Sequence, residues 1–131
     1  MQLKKTRTFS DIDLLFRAHP RTKDIVMKTD EEAIKASVVN LIRTIPYERP
    51  FHPEIGSQVY ALLFENFTAM TEQVAARTIY DVLTKFEPRV ILNVVNVAGR
   101  PDNNELDVSI EFRIINSEKP IVVKTTLTRL R

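Results

Sequence analysis

The chain has 131 residues, 44% of them apolar and 27% charged, with two His, no Cys and a formal net charge of +2. This is the size and balance of one ordinary globular domain around a single core. The lack of cysteine excludes disulfide staples and thiolate chemistry, and no apolar run is long enough to span a bilayer.

Charge is distributed unevenly. Residues 1–28 hold seven Lys/Arg against three Asp, whereas the remainder holds twelve Lys/Arg against fourteen Asp/Glu. The opening Met1-Gln2-Leu3-Lys4-Lys5 runs into charges rather than an apolar core, so no signal peptide is expected. A basic leader on a slightly acidic body reads either as a solvated tail or as an arm that docks on an acidic surface. Phe9, Ile12, Leu14, Leu15, Phe16, Ile25, Val26 and Met27 are too many apolar side chains for an idle tail, so an ordered or partner-ordered arm is expected over 1–28.

Residues 29–131 read as one α+β domain. Thr29-Asp30-Glu31-Glu32 has the form of a capping box, and its acids suit the positive end of a helix dipole. Ile34, Val38, Leu41, Ile42 and Ile45 then fall on one face of a helix that Pro46 stops. A Pro-rich link over 46–56 leads to a short helix near 57–64, in which Gly56 allows a positive φ or close packing. A third helix is expected from about Ala69 to Phe86, with Ala75, Ile79, Val82, Leu83 and Phe86 as its buried stripe. Leu63, Phe64 and Phe67 read as core.

After Pro88 the period changes. Val90–Ala98 is almost continuously apolar, the pattern of a strand covered on both faces. A turn over 99–104 precedes Leu106, Val108, Ile110, Phe112 and Ile114, which alternate with polar residues as in a strand with one wet face. A second turn leads into the β-branched segment 121–130. Short connections favour a three-stranded antiparallel meander packed on about three helices. A terminal strand of this kind sits at a sheet edge either protected by charges such as Lys124, Arg129 and Arg131, or open to a strand from another chain.

Two landmarks carry more than local backbone instructions. The first is Glu48-Arg49-Pro50-Phe51-His52-Pro53-Glu54-Ile55-Gly56 followed by Leu63-Phe64-Glu65; the second is Glu87-Pro88-Arg89. The proline in each is a sufficient reason for a turn, and Phe51 has the character of a core plug. Yet Glu87 stands at the negative end of a helix, which is mildly unfavourable for a carboxylate and points to a compensating partner. Proline fixes the backbone between that acceptor and a five-donor guanidinium. Glu65 is a candidate to pair with Arg49 or Arg89.

In this order and spacing the landmarks resemble the phage baseplate wedge (gene-25-like) and type VI secretion sheath-initiator family, whose signature is the Glu-Pro-Arg tripeptide. The resemblance covers roughly residues 9–130 and is densest over 48–97. Phe9-Ser10-Asp11-Ile12-Asp13 and Asp30-Glu31-Glu32-Ala33-Ile34-Lys35 look more like the phage branch. The family implies a fold similar to the core domain of contractile sheath proteins. It implies a structural component, six copies per baseplate, in the virion's contractile tail and synthesised in the host cytoplasm. Its partners would be wedge core proteins and the tail sheath protein, with no cofactor and no membrane. Glu87, Pro88 and Arg89 would dock on the wedge, with Arg49, Phe51 and Glu65 as loop contacts. Val122, Lys124, Thr126 and Thr128 would receive a strand from the first sheath ring. The isolated protein is expected to be monomeric or weakly associated.

Two other functional classes have some support in the residues. Relatives labelled lysozyme-like raise a glycoside hydrolase with paired carboxylates, for which Glu54, Glu65, Asp81 and Glu87 are candidates; such a pair needs a cleft and one raised pKa. His19 and His52 lack metal spacing. The basic arm with Phe9 and Phe16 superficially suits nucleic acid, but no strand pattern presents a basic, aromatic face.

Overall fold

In the computed structural model, residues 9–24 and 27–129 are described. The chain divides into two compact units, Met1–Ala36 and Ser37–Arg131.

The first unit contains a two-stranded antiparallel ladder, β1 (Ser10–Ile12) on β2 (Met27–Thr29), and the opening turns of α1 (Asp30–Arg43). The arm is tied to α1 by a reciprocal pair of bonds: Asp30 N–H donates to Phe9 O at 2.6 Å, and Phe9 N–H donates to Asp30 Oδ1 at 3.1 Å. Asp13 is buried, accepting from Leu15 N–H and from Arg17 Nε at 2.8 Å. Leu14, Leu15 and Phe16 are exposed on the turn it holds. Ile25 and Val26, and the side chains of Met27 and Thr29 with the expected capping box, lie outside the described residues, as do Leu130 and Arg131.

The second unit begins within α1, whose Val38, Leu41 and Ile42 are buried as the stripe requires. The helix ends at Arg43, two residues earlier than expected, so Ile45 is exposed and not part of the core. The short helix is also reduced, to α2 (Val59–Leu62), because the bonds that follow it span three residues and form turns. α3 (Ala69–Phe86) matches the expected span. Thr68 caps it by accepting from Thr71 N–H at 3.2 Å, and Ala75, Ile79 and Leu83 are buried along its stripe.

The sheet is a meander of β3 (Val90–Arg100), β4 (Glu105–Ile114) and β5 (Pro120–Thr128), in the order β3-β4-β5 and antiparallel throughout. Leu106, Val108, Ile110 and Phe112 of β4 face the core together with Ile121, Val123, Thr125 and Leu127 of β5. β3 departs from its reading. It is an edge strand, with only Val90 buried, and Ile91 and Val94 are 39% and 45% exposed. α3 packs against β3, but the other side of the strand carries apolar residues with no cover among the described residues.

Candidate functional site

The Glu-Pro-Arg turn is built at the end of α3. Glu87 N–H closes the helix on Leu83 O at 2.9 Å, and Pro88 prevents another turn. Glu87 leaves the helical region, with φ −124° and ψ 81°, as the following proline requires. The chain then enters β3, where Arg89 O accepts from Ile115 N–H at 3.0 Å.

The side chains fold back on this turn. Arg89 grips Glu87 with both edges of its fork, Nε to Oε1 at 2.6 Å and Nη2 to Oε2 at 2.8 Å. Ser37 Oγ, on α1, donates to the same Oε2 at 2.5 Å. Glu87 is only 3% exposed, so the compensation expected from an outside partner is supplied within the chain. Burial alone raises the carboxyl's pKa, but the bonds from Arg89 and Ser37 and the Arg89 charge outweigh it and hold the group below its ordinary value. Pro88 is exposed and Arg89 is partly so.

Ser37 was not singled out in the sequence, although a signal exists. It lies three residues after Ile34 and one before Val38, on the apolar stripe itself, and a polar group there calls for a buried partner.

The second landmark forms a braced loop. Tyr47 N–H donates to Pro53 O at 2.9 Å, Ile45 N–H to Glu48 Oε2 at 3.0 Å, and Ser57 N–H to Thr44 O at 2.7 Å. Tyr47 and Phe51 both adopt positive φ, 72° and 67°, a conformation that costs bulky residues about 1–2 kcal/mol each. Phe51 is 97% exposed, so it is no core plug; the strain holds it outward. Arg49 and Glu65 are also exposed, and among the described residues Glu65 pairs with neither Arg49 nor Arg89. Leu63 is core, Phe67 is half-buried, and Phe64 is exposed with the Arg129 guanidinium 4.6 Å from its ring. Pro46, Tyr47 and Pro53 share a shallow depression with Asp81, Lys85 and Phe86 of α3. The loop therefore runs alongside the residues that lead into the Glu-Pro-Arg turn.

The two sheet edges differ. Ile115 N–H to Arg89 O and Arg129 N–H to Asn104 O (3.1 Å) fix the alternation of the ladder. Counting from those bonds, Val122, Lys124, Thr126 and Thr128 aim their N–H and C=O groups away from β4. β5 carries no register shift. β3, in contrast, is interrupted by a bulge between Leu92 and Val94, and its outward Gly99 N–H is taken by Glu72 Oε1 at 2.8 Å. One edge is blunted and the other is regular.

Among the described residues no cluster of His, Cys, Asp or Glu could hold a metal ion. A general acid would need a raised pKa, whereas Glu87 and Glu54 are both shifted downward.

Residues 28–119 match the family model of baseplate wedge protein gp25. The chain is 33% identical over 115 residues to baseplate wedge protein gp25 of Enterobacteria phage T4, covering 88% of this chain and 86% of that one. In fold it is similar to a putative tail lysozyme from Geobacter sulfurreducens, with TM-score 0.72 and 21% identity over 81% of this chain and 96% of the other. It is also similar to a chain of the anti-feeding prophage baseplate, with TM-score 0.65 and 18% identity over 95% and 88% of the two chains.

Proposed function

This chain belongs to the gp25 family of baseplate wedge proteins, and we propose that it is a non-enzymatic baseplate part that docks on wedge core proteins and starts the tail sheath by accepting a strand on β5. The observation that carries the sheath role is the contrast between edges. A regular row of outward backbone groups on Val122, Lys124, Thr126 and Thr128 is a template for strand addition, and natural sheets blunt such edges unless they are used. β3 is blunted by its bulge and by Glu72. An initiator of this kind fixes the register in which sheath subunits begin to stack. A likeness to the sheath subunit's core domain, which we infer from the family resemblance alone, would fit that role.

Wedge docking falls to the Pro88–Arg89 turn and to the neighbouring loop. Glu87 acts through Arg89: buried and ionised, it fixes the partly exposed guanidinium beside the exposed Pro88. Phe51 supplies a rigid aromatic knob, the kind of side chain that dominates protein interfaces, with Arg49 beside it and Glu65 as a further contact. Sixfold placement is then imposed by the baseplate, and the isolated protein is monomeric or weakly associated. Of the candidate hydrolase carboxylates, Glu87 is engaged by Arg89, which supports the non-enzymatic reading.

Thr126→Pro tests the sheath role. Its N–H points away from β4, so proline there removes an outward donor and leaves the native ladder intact. Baseplates assembled with this variant should bear at least about tenfold fewer sheaths by electron microscopy while the protein stays folded. Normal sheath assembly on a folded Thr126→Pro variant would sink the strand-accepting role.

A further inference from the structure

Two cations stand beside the open edge without a carboxylate. Arg43, in the last turn of α1, donates from Nη2 to Thr125 Oγ1 at 3.0 Å, and Lys124 is exposed at the adjoining position opposite Ser109. Among the described residues neither has an ion-pair partner, whereas Arg17, Lys35, Arg77, Arg89 and Arg100 each have one. Both line a shallow depression of about 700 Å³ with Arg100, Asp107, Ser109 and Thr126. The carboxylate among these residues, Asp107, is already held by Arg100 at 2.6 Å and by Thr126 at 2.8 Å. Two positive charges thus remain uncompensated next to a row of outward backbone groups.

We propose that the segment added to β5 is an acidic one, with a carboxylate opposite Thr125 that Arg43 takes. This rests on the strand-accepting reading of β5. Thr125 turns its own N–H and C=O toward β4, so a strand laid on the free edge meets it as a non-hydrogen-bonded pair. Side chains in such a pair approach most closely, with Cβ atoms about 5 Å apart. A carboxylate there lies within reach of a guanidinium already steadied on Thr125, which keeps donors to spare after one bond. Lys124 bonds the incoming backbone directly, and its ammonium, on the opposite face of the sheet, favours a second acid at a neighbouring position. An apolar residue at that position would strip water from Arg43 and return nothing, and a basic one would add repulsion. Arg43 on the Thr125 face and Lys124 on the other therefore favour an acidic segment as partner.

The test uses the whole protein and short end-blocked peptides of alternating Thr and Val, with Glu or Gln at one central position. NMR follows the amide signals of Val122, Lys124, Thr126 and Thr128 during titration. The Glu peptide should bind about tenfold more tightly than the Gln peptide, and Arg43→Gln should bring the two level. Equal affinity for both peptides, with β5 amides shifting in each case, would overturn acid selection and leave strand acceptance standing. A Glu preference that survives both Arg43→Gln and Lys124→Gln would also overturn it. If neither peptide perturbs the β5 amides, strand acceptance fails and the acid selection with it.

Discussion

Gly56→Ala should destabilise the protein by about 3 kcal/mol, more than an ordinary loop substitution, and lower its Tm by about 12 °C. Gly56 has φ +153°, where an L side chain is strained whatever the space. A methyl group there would sit 2.6 Å from Pro46 N, 2.8 Å from Ile45 C and 2.9 Å from Thr44 O. All three are main-chain atoms, and the bond from Ser57 N–H to Thr44 O holds the two strands of the loop together at that point. No side chain can swing away to relieve the clash. Because the same closure braces Tyr47 and Phe51 outward, the variant should also lose partner binding beyond its loss of stability. Thermal unfolding decides the matter: a Tm within a degree or two of the parent would mean that the loop relaxes freely.

Glu87→Gln should cost about 3 kcal/mol at pH 7, because it removes the carboxylate charge that Arg89 grips and weakens the bond from Ser37. The sign with pH follows from the depressed folded pKa. Stability from the ionised carboxylate is fully present above the unfolded value of about 4.5 and is lost as pH falls through the lower folded value. Urea unfolding from pH 7 down to about pH 3 should therefore show parent and Glu87→Gln converging at the acid end. Replacing both partners, as Glu87→Met with Arg89→Met, should recover much of the loss at pH 7, since the hole left by an unpaired charge is gone. A Glu87→Gln protein as stable as the parent at pH 7 would show that the bridge contributes nothing to the fold.

What the sequence made legible were the elements whose period is set by one core. The stripe of Ala75, Ile79 and Leu83 and the alternation of Leu106, Val108, Ile110 and Phe112 appear in the structure as they read in the sequence. β3 differs from its sequence pattern for a physical reason. A continuous apolar run signals burial on both faces only if both faces are covered, and here Ile91 and Val94 face outward from an edge strand. Phe51 and Phe64 looked like core because aromatics usually are; nothing local announces that Phe51 adopts positive φ. The charges of Glu87 and Arg89 were visible, but their bond to each other was not. A pair two residues apart faces one way only because the intervening proline bends the chain, and Ser37 comes from 50 residues away. The open edge could be raised from the β-branched terminal segment alone, but its contrast with β3 needed the register and the bulge.

The most direct measurement is affinity capture of the tagged protein from a lysate in which contractile tails are assembling, with mass spectrometry of what is retained. Arg89→Lys, which keeps the charge on Glu87 but loses the fork, and Phe51→Asn, which tolerates the loop's backbone, serve as folded controls. The parent should retain wedge core and sheath proteins, and each variant should lose the wedge proteins by about tenfold while its Tm stays close to the parent's. A parent that retains neither wedge nor sheath proteins would contradict a structural role in the baseplate.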